Sequence, residues 1–179
     1  SINGNIKLTI TGVKFNTAPV TSSVTFETPF DTGPSIALSV TEADAQRVEA
    51  RVAQARGSAL EALEARLTLR TSGPNLYEAS CGAGARGPEQ VVVLTLAERT
   101  DVTLRVENND YDTVLFVRRA CDDAATEVGC NDDFNGLASG LDLQGLEAGD
   151  YFVFLDGYDR GAGGADVVIR VTPTPPNGD

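Results

Sequence analysis

Short segments in which apolar and polar residues alternate recur through the second half of the chain, separated by Gly, Asn and Asp. Alternation with a period of two places every second side chain on one face of a strand, so each segment predicts a half-buried β-strand. Strands at such regular intervals, with no long helix among them, are typical of an antiparallel β-sandwich. The predicted strands are residues 90–96, 102–107, 113–118, 140–143, 151–156 and 166–171.

The same pattern occurs at the N-terminus, where Ile6, Leu8 and Ile10 alternate with polar residues, and residues 24–26 and 36–40 repeat it. This region therefore predicts an extension of about three strands, over residues 1–40. So few strands cannot close a sandwich by themselves. Their apolar faces need either the C-terminal domain or another molecule as a partner.

Composition changes to Ala, Arg and Glu after the extension. Thr41 with Asp44, followed by Gly57, predicts a short capped helix, so that residues 41–65 form a helical connector. A strand is the competing interpretation, because apolar and charged residues also alternate over residues 48–52.

The regularly spaced strands predict a β-sandwich over residues 66–172, followed by a Pro-rich tail at 173–179. Proline has no main-chain N–H, so the tail cannot extend a central strand. The tail is either a linker stub or an extended segment that crosses a neighbour.

Charge is distributed unevenly along the chain, which has a net charge of -12. The whole excess lies from Gly73 onward, where seven Arg oppose nineteen acidic residues. Such a surface repels phosphate backbones and anionic lipid and attracts divalent cations, which excludes nucleic acid as a partner. No apolar run is long enough to span a membrane, and because the sequence begins at Ser1 rather than Met we expect a processed or trimmed chain.

Catalytic residue patterns are missing from the sequence. The chain has no histidine, and no Ser, Cys or Thr lies in a context that would supply a general base. Nucleophilic and acid–base catalysis both require such a group. The sequence therefore predicts a protein that is not an enzyme.

Three cysteines are too few for a disulfide scaffold. Cys121 and Cys130 flank a polar loop at a spacing that a hairpin can close, which predicts a disulfide between them and an oxidising compartment. Cys81 is then either a small buried apolar residue or the donor of an intermolecular bond.

Oxygen-bearing side chains are dense around this loop. From Asn131 onward they stand at alternate positions before Gly136, with Asp142 at the twelfth position, as in a calcium loop of the EF-hand kind. A second arrangement is a cation held by aspartates from several loops, and a third is that these side chains only cap turns. The cluster suits calcium better than zinc. The candidate ligands are Asp110, Asp112, Asn131, Asp132, Asp133, Asn135, Asp142 and Asp156.

Several motifs between about residues 72 and 171 resemble a known family. They are NLYEASCG at 75–82, PEQVVVLTL at 88–96, DYDTVLFVRRAC at 110–121, CNDD at 130–133 and LEAGDYFVFLDGY at 146–158. The segment resembles the bacterial pre-peptidase C-terminal domain, in the cysteine-containing version of myxobacteria. The resemblance implies an exported, jelly-roll-like β-sandwich, often attached to secreted peptidases and related to collagen-binding modules, some of which bind calcium. The 179 residues contain no segment that we predict to be a peptidase, which is a departure from the usual arrangement of the family.

The function predicted from these features is a secreted, non-catalytic structural or adhesive protein. It associates with copies of itself into an extracellular surface fibre, through an N-terminal strand that completes a neighbour's sheet. The inserted anchors of that strand are Ile6, Leu8, Ile10, Val13 and Phe15. The alternative is that this strand folds back onto its own domain. The chain is then a calcium-dependent module that binds substrate, polysaccharide or protein for a secreted hydrolase.

Overall fold

Strands dominate the part of the chain that the computed structural model describes. That part comprises residues 7–13, 22–27, 35–41, 47–56 and 59–174, with the side chains of residues 64–172 and 174. The strands are β1 (Lys7–Val13), β2 (Ser22–Glu27), β3 (Ser35–Thr41), β4 (Arg47–Arg56), β5 (Ala59–Arg70), β6 (Gln90–Leu96), β7 (Thr100–Glu107), β8 (Thr113–Arg118), β9 (Glu127–Asn131), β10 (Gly140–Leu146), β11 (Gly149–Gly157) and β12 (Gly164–Pro173). Helical structure in these residues is limited to the single turns Gly82–Gly84 and Ala124–Thr126. None of it is long and apolar enough to cross a membrane.

The strands form two sheets that pack as a β-sandwich. One sheet has seven strands in the order β2-β1-β3-β6-β11-β8-β9, and the other has five in the order β10-β7-β12-β5-β4. Every neighbouring pair is antiparallel except β1 and β3, which are parallel. The predicted antiparallel β-sandwich is therefore confirmed, and β1–β3 are the three strands predicted for the N-terminal extension.

The core lies between the sheets and follows the predicted alternation. On β6, Val92, Leu94 and Leu96 are buried while the residues between them are partly exposed. The inward residues of β7, β11 and β12 join them in one apolar cluster. Each large apolar side chain removed from water stabilises the fold by about 1.5–3 kcal/mol, which is why the alternating residues fix the faces of the strands.

The predicted helical connector over residues 41–65 is wrong, because these residues contribute β4 and most of β5. β4 pairs antiparallel with β5, so that Val48 lies opposite Leu67 and Ala50 opposite Ala65. Leu67 and Ala65 are both buried in the core. Ala, Arg and Glu are among the better helix formers, but intrinsic propensity is a weak preference, and strand pairing beside the buried residues of β5 outweighs it.

At one side of the sandwich the seven-stranded sheet is wider, whereas at the other side the two sheets end level with each other. Edge strands β9 and β10 pack against each other there, with Gly129 beside the Leu141 side chain. Several connections between the sheets join strands that hold the same position when each sheet is counted from β9 or β10. They are residues 71–89, 108–112 and 158–163, and the five-residue link from β3 to β4. Among the described residues, β1 and β2 therefore have no strand opposite them.

Candidate functional site

The outer face of the seven-stranded sheet is covered by residues 72–89, here named the cover segment. Beneath it, Phe116 of β8 stacks on Phe154 of β11 with ring centroids 4.4 Å apart, and Tyr77 packs edge-on against Phe154 at 5.1 Å. Val114 and Ala85 complete this second buried cluster. β8 is consequently buried on both faces, as is the second half of its neighbour β11.

A disulfide between Cys81 and Cys130 ties the cover segment to β9, with the two Cα atoms 6.0 Å apart. The predicted pairing of Cys121 with Cys130 is wrong, and Cys121 is a free, partly buried thiol. Cys130 is paired with Phe116 in the β8–β9 ladder. The bond closes across 49 residues of sequence, a long-range contact that local spacing could not reveal.

Arg118 links the cover segment to the sheet from within the buried cluster, where it is 2% exposed. Its guanidinium group donates to the carbonyl oxygens of Glu78 and Cys121, and lies 5.0 Å from the ring of Phe116. Glu127 accepts from Ser80 and forms an ion pair with Arg118 at 3.9 Å. No sequence pattern indicates this role, because arginines in strands are ordinarily exposed.

A groove of about 350 Å³ lies between the cover segment and the sheet, here named the cover groove. Its apolar lining consists of Pro74, Leu76, Tyr77, Val91, Val93 and Phe152. Glu89 and Cys121 are among its polar lining residues. A concave, mostly apolar cavity with a few polar groups has the character of a small-molecule site.

Glu89 holds a carboxylate within this groove at only 9% exposure. Both of its oxygens accept from the main-chain N–H of Leu76, at 2.9 and 3.2 Å. Burial raises the pKa of Glu89 despite these bonds. A hydrogen bond between the side chains of Tyr77 and Cys121, together with burial, raises the pKa of Tyr77 to about 12.

Asp156 lies on the same outer face of β11 and is 0% exposed. Its Oδ1 accepts from the Gly157 N–H at 2.6 Å, whereas Oδ2 has no hydrogen-bond partner. Burial raises the pKa of Asp156 to about 8. Gly87 of the cover segment fits closely over it, since a Cβ at that position would collide with the Gly161 carbonyl oxygen.

A second acidic region lies at the end of the sandwich, where Asp112 has a buried Oδ1 without a hydrogen-bond partner. Burial raises the pKa of Asp112, and the negative charges of Asp133 and Asp132 add to the effect. Phe134 and Tyr158 are exposed in this region, at 51% and 44%. These two rings are apolar surface beside a group of carboxylates.

The remaining predicted ligands have other contacts. Asp110 accepts from the Gly164 N–H at 2.8 Å and Asn131 from the Gly140 N–H at 3.0 Å, so each side chain bonds to the main chain of a separate segment. Both oxygens of Asp142 accept from Arg105, at 2.7 and 3.0 Å. Asn135 is exposed. Within residues whose side chains are described, no three Asp, Glu, Cys or His converge as metal ligands.

The predicted assembly residues lie in the N-terminal extension. Leu8, Ile10 and Val13 belong to β1, whereas Ile6 and Phe15 lie outside the described residues. β1 pairs with β2 and with β3, and β3 pairs with β6 of the same chain.

Neither a search of protein-family models nor one of curated proteins finds a match for this chain. The resemblance to the pre-peptidase C-terminal domain stays a prediction.

Proposed function

We propose that this chain is a secreted, non-catalytic structural or adhesive protein that associates with copies of itself by strand addition, forming an extracellular fibre. The observation that carries the proposal is the unequal width of the two sheets. β1 and β2 extend the seven-stranded sheet beyond the last strand of the five-stranded sheet. The part of the sheet that lacks a facing layer needs cover from elsewhere.

The pairing register indicates which residues lie on the uncovered face. Leu94 and Leu96 of β6 are buried in the core, and they are paired with Leu38 and Ile36 of β3. Residues directly opposite each other in adjacent strands lie on the same face of a sheet. The core-side positions of β1 and β2 are therefore Leu8, Ile10, Val24 and Phe26, which are paired with one another and with β3. All four residues are apolar.

Two edge strands are available for strand addition on this side, β2 in one sheet and β4 in the other. An edge strand presents unpaired main-chain N–H and C=O groups, which a strand from another molecule can bind. β2 and β4 lie on the same side of the molecule, so a β2–β4 pair between two copies is reciprocal, joins two copies and covers the uncovered faces of both. Growth into a fibre then needs a second contact at the opposite side, where β9 and β10 are the edge strands.

Secretion and the lack of catalysis rest on chemical arguments. The Cys81–Cys130 disulfide is compatible with an oxidising, extracellular location. The chain has no histidine, and the buried carboxyl groups of Asp156 and Glu89 lie under the cover segment without a nucleophile–base pair. The jelly-roll connectivity and the export implied by the family resemblance belong to the same proposal.

Substitutions on the two faces of β1 test the assembly. Leu8→Asp with Ile10→Asp places charge on the uncovered face, and we expect fibres in negative-stain electron micrographs to disappear. Thr9→Asp with Thr11→Asp places the same charge on the opposite face of the same strand, and we expect fibres to persist. Peptide mapping of the Cys81–Cys130 disulfide checks that the sandwich is intact in both variants. Fibres of equal abundance in the two variants would contradict strand addition through this face.

A calcium-dependent binding module is the second candidate, and one observation favours it. Asp112 keeps a buried oxygen without a partner, and the negative charges of Asp133 and Asp132 act on its carboxyl group. A hard cation bound there would supply the missing partner.

Calcium should then raise the melting temperature through ligand linkage, by RT ln(1 + [Ca]/Kd) in free energy. Asp112→Asn should remove the effect, whereas Asp122→Asn, at an exposed carboxylate away from this group, should retain it. Differential scanning calorimetry with calcium or a chelator measures both variants. Identical melting temperatures of the wild-type protein under both conditions would exclude a stabilising calcium site.

A further inference from the structure

We propose that the cover groove binds an organic ammonium group carried on an apolar stem, with Glu89 as its counter-charge. This inference concerns a different face of the molecule from the assembly surface and does not depend on self-association. It rests on the shape of the groove, on its lining and on the environment of the Glu89 carboxylate.

The walls of the groove provide the site for an apolar stem. Pro74, Leu76 and Tyr77 of the cover segment face Val91 of β6 and Phe152 of β11 across a volume of about 350 Å³. Small-molecule sites in proteins begin at roughly 300 Å³. The groove therefore has room for a short alkyl chain or one ring.

The Glu89 carboxylate provides the site for a positive charge. It is nine-tenths buried, and its oxygens are already oriented by the Leu76 N–H. A buried carboxylate is costly unless it is paired with a cation. None of the described residues that line the groove is Lys or Arg, so the part of the chain whose side chains the structure describes supplies no cation there.

Competing ligand classes fit this environment less well. Anions are repelled, because the protein carries a net charge of -12. A calcium ion requires six to eight oxygen ligands, whereas the groove offers one carboxylate between apolar walls. Tyr77 and Phe152 are aromatic residues of the lining, and aromatic faces attract ammonium groups.

An ammonium group on an apolar stem occurs in two kinds of ligand, a free alkylamine and a lysine side chain of a polypeptide. The test uses the full chain at pH 7 in nuclear magnetic resonance titrations. n-Butylamine represents the free amine, and Nα-acetyl-lysine methylamide represents the side chain. n-Butanol has a similar apolar stem without the charge.

We expect n-butylamine to shift the Leu76 amide and the Val91 methyl resonances. The affinity for n-butanol should be lower by a factor of roughly ten or more, because n-butanol cannot form the charged hydrogen bond. Glu89→Gln keeps an oxygen that can accept from Leu76 but removes the charge, and should weaken n-butylamine binding by a similar factor. Glu98→Gln, at an exposed carboxylate outside the groove lining, should leave it unchanged. Binding of the lysine derivative as well identifies a polypeptide side chain as a fitting occupant, and its failure restricts the site to free amines.

Three results would overturn the proposal: no shifts at these resonances, equal affinity for n-butanol and n-butylamine, or full affinity in Glu89→Gln. Should Glu89→Gln fail to fold, the pH dependence of the wild-type protein replaces it. Binding of n-butylamine must then weaken as the pH falls through the raised pKa of Glu89. Binding that stays constant through that range while the fold persists excludes the carboxylate as the partner.

Discussion

At the scale of single residues, the molecule is unusual in the carboxyl groups that it buries. Asp156 is fully buried with one oxygen unpaired, and Glu89 is nearly so. Burial penalises the charged form of a carboxyl group, and it raises the pKa of Asp156 from 3.8 to about 8. The folded state therefore keeps a proton on Asp156 that the unfolded chain releases near its ordinary pKa.

This proton makes stability depend on pH in a direction opposite to that of a salt-bridged carboxylate. The native state binds the extra proton between pH 3.8 and about 8, so the contribution of Asp156 to the unfolding free energy falls as the pH rises through this range. Each unit of pKa shift corresponds to about 1.4 kcal/mol. Asp156→Asn keeps the acceptor for Gly157, and the variant should be more stable than the wild-type protein by a few kcal/mol at pH 8.5.

Urea unfolding of wild-type protein, Asp156→Asn and Asp122→Asn at pH 5 and pH 8.5 measures this effect. The stability advantage of Asp156→Asn should be larger at pH 8.5, while Asp122→Asn, at an exposed site, should follow the wild-type protein. An advantage that is the same at both values would show that Asp156 does not titrate on folding.

The sequence predicted the inward residues better than the outward ones. Val92 and Leu94 alternate with less buried neighbours as the period of two requires. Asp156 was predicted only as a calcium ligand, because an acidic residue at the end of a strand ordinarily faces solvent. Its burial depends on the cover segment, whose path is set by long-range contacts that no local pattern encodes.

At the scale of elements, the cover segment has little secondary structure and depends on individual links. They are the Cys81–Cys130 disulfide, the bonds from Arg118 to Glu78, and the bonds from Ser80 to Glu127. A segment held in this way has a fixed path although it forms no ladder with the sheet. Its removal would expose the stacked rings of Phe116 and Phe154.

We expect Cys81→Ser to destabilise the oxidised protein by roughly 2–4 kcal/mol, because the disulfide closes a long loop in the unfolded chain. Cys121→Ser is the matched control, since Cys121 is not in a disulfide. Peptide mapping without reduction should recover the Cys81–Cys130 pair from the wild-type protein. A lower melting temperature in Cys121→Ser than in Cys81→Ser, under oxidising conditions, would support the Cys121–Cys130 pairing instead.

The sequence predicted the type of each element wherever the period of the apolar residues was clear. The prediction failed over residues 47–56, where the spacing of Val48 and Ala50 fits both a helix and a strand. β9 was also missed, because Glu127–Asn131 contains only one large apolar residue and lies in a region that otherwise predicts a loop. Pairing with β8 makes it a strand, and that pairing is a property of the assembled sheet.

At the scale of the whole molecule, the unequal sheets are the central feature. The number of strands in the extension followed from the alternation of residues such as Leu8 and Ile10, but their placement in the sheet did not. β3 pairs with β6, and β1 and β2 then lie beyond the edge of the five-stranded sheet. We propose that copies of the protein associate through this uncovered part.

Sedimentation velocity of the full wild-type chain over a range of concentrations tests this claim most directly. We expect species larger than the 18.8 kDa monomer whose proportion and size increase with concentration. Contacts on two opposite sides of the molecule set no upper limit on that growth. A single species of 18.8 kDa at every concentration would contradict self-association through the extension.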